Sequence, residues 1–301
     1  MAKKYAEILL ITVIALRSTA LLFSKIALES MGPLTLLGLR FLLAFAVLFV
    51  IFFKRLVRID SSTLLRGLVL GVLFYGTMAF ELIGLSYTSS STTAFLENTA
   101  IMFVPLFDAA LRRSRPNRSS LVSGAMALAG IAFLTLHEGR LMLGRGEIFC
   151  LLAAVFYAAT IVATDRLAKK DDAMVLGVLQ VGFIGVFGAV SAFIFEQPVL
   201  PTSGAQWGAV AFLAIVCTVF GFTLQPVAQK YTSSDKAGLY CALNPLIAAV
   251  LGYAFLHESF TRNSLLGAVL IIGSIVAASL LERRPISRKV RRRLAETGYT
   301  A

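Results

Sequence analysis

Charge is what this chain has least of. Only 15% of its 301 residues are Asp, Glu, Lys or Arg, against about 25% in a soluble globular domain. So few charges cannot cover a water-facing surface of this size. Histidine and cysteine are scarce as well. Cys150, Cys217 and Cys241 are an odd number and all lie inside apolar runs, so they read as small core residues and imply no disulfide framework. His137 and His257 each precede a glutamate at an expected helix end, which reads as a solvated pair. No H-E-x-x-H, G-x-x-x-x-G-K-[ST] or G-x-S-x-G segment occurs. No enzyme, catalytic residue, metal site or cofactor is therefore expected. Strand-type alternation is missing too, which argues against an outer-membrane barrel.

What is abundant is apolar sequence. Hydrophobic residues make up 58% of the chain, and the mean hydropathy is +0.83. The runs are roughly 20 residues long, the length a helix needs to cross hydrocarbon. They predict an all-α integral membrane protein with ten spans, at 6–28, 33–53, 65–86, 92–111, 119–136, 147–166, 173–195, 207–229, 236–256 and 263–281. The first begins after Lys3 and Lys4 and is too long for a signal peptide; it also contains Arg17.

The connections set an orientation. Of 28 lysines and arginines, 22 fall in alternate loops and the two tails, and only Lys25, Arg140, Arg145 and Arg262 fall in the others. Basic residues stay cytoplasmic, so both termini are expected inside, in a bacterial inner (plasma) membrane. The net charge of +12 does not imply nucleic acid, because the basic residues form no face. The tail from Arg283 reads as a solvated segment against anionic lipid. The expected partners are the bilayer and a small-molecule solute; an oligomeric state is not readable.

The chain repeats itself. Tyr87-Thr88-Ser89-Ser90 recurs as Tyr231-Thr232-Ser233-Ser234, and Gly124-Ala125 with Gly130 recurs as Gly267-Ala268 with Gly273. The offsets are 144 and 143 residues. Each half then holds five spans, and since five is odd the second copy enters the membrane upside down. The expected units are residues 1–140, 141–282 and a tail at 283–301. Inverted repeats are the mark of alternating-access carriers, whose site lies near the midplane between them.

Ionisable residues inside spans are costly unless they face a cavity or a partner. Arg17 lies near the middle of span 1. Arg40, Glu81 and Glu97 lie at similar depths in spans 2, 3 and 4. Two readings stand: an ion-pair network that fixes packing, or a substrate carboxylate held by an arginine with a carboxylate that takes a proton. Depth favours Arg40 as the structural partner of the glutamates and Arg17 as the cavity residue. Uncharged polar and aromatic residues outline the rest of a candidate lining: Tyr75 and Met78 on span 3, Asn98 on span 4, Tyr157 on span 6, Gln225 on span 8, and Tyr240 and Asn244 on span 9. Each also has an ordinary packing role open to it. Pro105, Pro226 and Pro245 mark bends in spans 4, 8 and 9.

The chain resembles the drug/metabolite transporter superfamily in its ten-helix EamA-type branch. The resemblance rests on Tyr231-Thr232-Ser233-Ser234, Asn244-Pro245, His257-Glu258, Gly267-Ala268 and the first two spans from Ser18 through Pro33 to Leu39-Arg40-Phe41. The first repeat departs from that pattern, with Ala100-Ile101 where the second has Asn244-Pro245. The resemblance implies export of amino acids or related metabolites, aromatic ones among them. A multidrug or sugar-conjugate carrier is the rival, and a membrane scaffold the rival outside transport.

Overall fold

Hydrocarbon offers the backbone no hydrogen bonds, so an apolar span must satisfy its own amides, and a helix does so. A computed structural model describes residues 3–135, 144–247 and 262–282, and every regular element among them is helical. Span 1 is two helices, α1 (Lys3–Ser18) and α2 (Ala20–Leu28), and spans 2 and 3 are α3 (Pro33–Leu56) and α4 (Ser61–Tyr87). Span 4 is also divided, into α5 (Ser90–Asn98) and α6 (Ala100–Leu111). Spans 5 to 7 are α7 (Arg118–Thr135), α8 (Arg145–Leu167) and α9 (Ala173–Phe195). Span 8 starts as α10 (Gly204–Phe212), widens to a π-helix (Leu213–Phe222) and closes as α11 (Thr223–Gln229). Span 9 opens as α12 (Ser234–Tyr240), turns at Cys241 and Ala242, and is helical again over 243–247. Span 10 is α13 (Arg262–Glu282). Among the described residues, seven of these stretches are long and apolar enough to cross a membrane, and α7 and α13 carry shorter apolar helices. The second half of span 9, His137, Arg140, His257, Glu258 and the basic tail lie outside the described residues.

Short polar residues start the helices. Asp60, Ser89 and Asp172 each accept a bond from a backbone N–H of the first turn, satisfying donors the helix leaves open. The α3 start is capped from the other half of the chain: Glu196 accepts from Leu34 N and Thr35 N, both at 2.9 Å.

Glycines set how closely the spans approach. A Cβ on Gly38 would lie 2.7 Å from the Ala189 backbone nitrogen, and Gly185 and Gly182 meet Leu42 and Phe45. Numbers rise along α3 as they fall along α9, so this pair is antiparallel. The α7–α13 pair is antiparallel in the same way, with Gly130 against Gly267 and Gly273 against Met126. Gly67 and Gly71 of α4 meet Leu179 and Phe183 of α9, a parallel contact. Exchanging the two halves maps α3–α9 and α7–α13 onto themselves, and maps α4–α8 onto the contact of span 1 with span 8. This is a fold of two inverted repeats.

The connections that carry the basic excess gather at one end. There Arg66 pairs with Asp171 at 2.6 Å, Arg55 with Asp172 at 3.4 Å, Arg166 with Asp108 at 3.2 Å and Lys236 with Glu7 at 3.2 Å. Each of these joins one repeat to the other. Large apolar side chains such as Val50, Ile51, Phe193 and Phe195 stand exposed on the outer faces of α3 and α9, where a bilayer covers them.

The prolines act differently from one another. Pro105 sits inside α6 without breaking it; span 4 is interrupted at Thr99 instead, whose hydroxyl bonds Leu96 O at 2.6 Å. Pro245 follows the turn at Cys241, four residues upstream, where a proline ring clashes with the carbonyl. Pro226 removes the α-helical partner of Phe222 O, and Gln180 Nε2 from α9 donates to that oxygen at 2.8 Å.

Candidate functional site

The last turn of α1 presents Arg17. Ser18 Oγ donates to Ile14 O at 2.8 Å, and Thr19 Oγ1 donates to Leu16 O at 2.9 Å. Cys217 Sγ, from the π-helix, also reaches Leu16 O at 3.4 Å. Side chains that take carbonyls from the backbone compete with the helix, and span 1 breaks at Thr19. Arg17 thus stands at a helix C-terminus inside the membrane, where aligned carbonyls favour a cation.

Its guanidinium is held by neutral groups. Nη1 donates to Gln225 Oε1 at 2.8 Å and to Tyr157 Oη at 3.1 Å. Three rings surround it: Phe222, Phe74 and Tyr157 have centroids 4.3, 5.4 and 5.5 Å from its Cζ. Desolvated cation–π contacts contribute about 2 kcal/mol or more each. Gly221 leaves the room for this side chain, since a Cβ there would lie 3.0 Å from Arg17 Cγ.

Beside the guanidinium is a cavity of about 10 Å³ lined by Ile14, Glu97, Asn98, Tyr157, Cys241 and Asn244 as well as Arg17. It sits where two spans are interrupted: Asn98 ends α5, and Cys241 follows α12. Asn98 Nδ2 bonds Ala94 O at 2.7 Å, whereas Asn244 Oδ1 is buried without a hydrogen-bond partner. Along the same seam of spans 4 and 9, toward the basic end, lies a larger cavity of about 240 Å³.

The charged residues are arranged differently from the sequence expectation. Glu81 and Glu97 are buried, but among the described residues neither forms an ion pair with Arg17 or Arg40. Arg40 Nε donates to Thr218 Oγ1 at 2.8 Å, and its Nη2 has no hydrogen-bond partner. Thr218 in turn donates to Leu213 O, five residues back, as the π-helix geometry allows. Arg40 is therefore tied to span 8 through a hydroxyl, and Phe222 lies under both guanidiniums, 5.5 Å from that of Arg40. Asp108 pairs with Arg112 at 2.7 Å, the i,i+4 contact expected, and also with Arg166.

Of the candidate lining, the fold brings Arg17, Asn98, Tyr157, Gln225 and Asn244 together, with Glu97 among them. Met78 and Tyr240 are buried in the surrounding core but do not line this cavity. Tyr75 turns away to α9, where its hydroxyl lies 2.5 Å from Ser191 Oγ and its ring 5.7 Å from Phe187. The sequence reading missed Phe74, Phe222, Gly221 and Cys241. Phe222 stands three residues before Gln225, so helical spacing alone places it on the face of a residue already singled out.

Comparison with known proteins agrees with this architecture. The EamA-like transporter family matches residues 4–136 and again 144–280. An uncharacterized transporter of Archaeoglobus fulgidus is 25% identical over 283 residues, covering 92% of this chain and 86% of the relative. The uncharacterized transporter YetK of Bacillus subtilis is 21% identical over 301 residues, covering 93% and 88%. A solved crystal structure shares the fold, with a TM-score of 0.77 at 22% identity over 93% of this chain and 98% of that one. The tandem match spans both halves, and the chain belongs to the EamA-like transporter family, integral membrane carriers of small molecules within the drug/metabolite transporter superfamily.

Proposed function

We propose that this EamA-family carrier exports amino acids, aromatic and large apolar ones foremost, by alternating access past Arg17. The observation that carries the reading is the setting of that residue. It is a permanent cation inside the membrane, held by neutral acceptors, ringed by aromatic faces and open to a cavity between the two repeats. Glu97 lines the same cavity but makes no direct ion pair with Arg17, so a solute carboxylate can contact the guanidinium, and such charge-assisted bonds are the strong kind. Phe74, Phe222 and Tyr157 supply apolar area beside it. Spans 4 and 9 are interrupted at this depth in both repeats, the pattern expected where discontinuous helices form a midplane site. We place the termini in the cytoplasm of a bacterial cell, at its inner membrane, because the basic connections share one end.

Flux into reconstituted vesicles, measured across a panel of amino acids, tests the substrate class. Phenylalanine, tyrosine or leucine should move measurably. Transport confined to highly charged solutes such as sugar conjugates would replace this reading with its rival, and no flux of any solute would favour a scaffold. Cysteines introduced at the exposed Ser89 and Ser233 test the orientation. They should label from opposite sides, with Ser233→Cys on the cytoplasmic one; the three native cysteines are buried and leave little background.

A further inference from the structure

We propose that the larger cavity at the basic end of the spans 4–9 seam is a second solute site, which takes the ammonium group of an amino acid before the solute reaches Arg17. This rests on the amino-acid reading above. The cavity, about 240 Å³, is walled by the first two turns of α7 and the start of α12. Its floor is apolar, with Ile101, Pro105 and Leu239. Its wall holds two acceptors that the fold leaves unused. Asp235 Oδ2 takes the hydroxyl of Ser120 at 2.5 Å, but Oδ1 is buried without a partner. Ser123 is only 2% exposed, and its Oγ also has no partner. A buried polar atom left unpaired loses its hydrogen bonds to water without replacement, and a ligand carrying several N–H donors supplies them at both atoms.

The sign of the charge selects the ligand. Lys236 lines the cavity too, but Glu7 engages it at 3.2 Å, so the charge open to a ligand is the carboxylate of Asp235. A primary ammonium group fits this carboxylate and the Ser123 hydroxyl, and the apolar floor accepts a side chain. The route onward is short. Ile101 and Leu239 line this cavity, while Asn98 and Cys241, within one helical turn on the same spans, line the one at Arg17.

The test is the number of tritiated phenylalanine molecules bound per full-length chain at saturation in detergent. Wild type should bind two. Asp235→Asn should bind one, and Arg17→Gln should bind one. Ala278→Leu fills the cavity without touching a polar group and should also bind one, which keeps the test valid if Asp235→Asn fails to fold. A wild-type stoichiometry of one, unchanged in Asp235→Asn and Ala278→Leu and lost in Arg17→Gln, would leave the Arg17 site standing and overturn the second site. Binding of no phenylalanine by wild type would overturn both.

Discussion

Two interfaces occupy equivalent places in the inverted repeats and have diverged in chemistry. Where α4 crosses α8, Thr77 Oγ1 lies 3.4 Å from Thr160 Oγ1, and both helices run without interruption. The equivalent crossing joins span 1 to span 8. There Arg17 stands 143 residues before Thr160, and Gly221 stands 144 after Thr77. A pair of small hydroxyls in one place is an arginine against a glycine in the other, and only the second place has a helix break at Thr19 and a π-helix opposite. The fold tolerates either chemistry at this crossing. A buried guanidinium needs volume and acceptors, and the irregular backbone accompanies them. π-turns inside helices often mark functional sites, and here one brings Thr218, Phe222 and Gly221 against two arginines.

The largest expected effect separates these crossings. Arg17→Gln should lower amino-acid flux more than about tenfold, since truncating one partner of a desolvated charge pair costs about 2–5 kcal/mol and 1.4 kcal/mol is a factor of ten. The variant also loses the bonds to Gln225 and Tyr157 and the three ring contacts, so the melting temperature should fall as well, and flux is compared per folded molecule. Thr160→Val at the equivalent place should leave flux within about twofold. Comparable losses from both variants would remove the distinction between the two interfaces.

Next comes the contact that both repeats share. Gly38→Val drives a side chain into the Ala189 backbone, where the room ends 2.7 Å from Cβ. Overpacking of this kind costs typically about 1–3 kcal/mol, so the melting temperature should fall clearly while flux per folded molecule is kept. An unchanged melting curve would mean that α3 and α9 are not held at this distance.

A smaller effect concerns Gln180 and Pro226, whose equivalents in the first repeat, at the same two offsets, are Leu37 and Leu82. The first repeat has no proline there and no amide to compensate for one. Gln180→Leu strands Phe222 O and should cost about 1–3 kcal/mol in thermal denaturation. Pro226→Ala in the same molecule restores a backbone donor and should recover much of the loss. Additive losses in the double variant would refute the compensation.

The smallest effect is at the mouth. Glu7 and Lys236 pair at 3.2 Å across the two repeats. Glu7→Gln should change stability by at most about 1 kcal/mol, as partly exposed ion pairs do. A larger drop in melting temperature would make this pair a principal fastening between the repeats.

Much of this was legible in the residues because lipid imposes a single demand. Runs such as 173–195 read as helices from composition, and the basic residues gave the alternation that the pairing of the connections follows. The site was only partly legible. Polar residues stand out against apolar neighbours, so Arg17, Asn98, Tyr157, Gln225 and Asn244 could be picked out singly. Rotation could not be read where that contrast fails. Phe74 and Tyr75 differ by one residue, about 100° around the helix, and in an apolar run nothing marks which of them faces Arg17. The expected pairing of Arg40 with a glutamate rested on depth alone, and depth does not say that Thr218 lies closer.

By itself the sequence determined the solvent, the span count and the inversion of the repeats, because each follows from local composition and from parity. Only the tertiary structure decided which interface holds the cation and where the spans break. It also decided which buried polar atoms stay unpaired. The setting of the cation depends on side chains far apart in the chain, 140 residues between Arg17 and Tyr157 and 208 between Arg17 and Gln225. No local pattern encodes the distance between them once both helices are apolar.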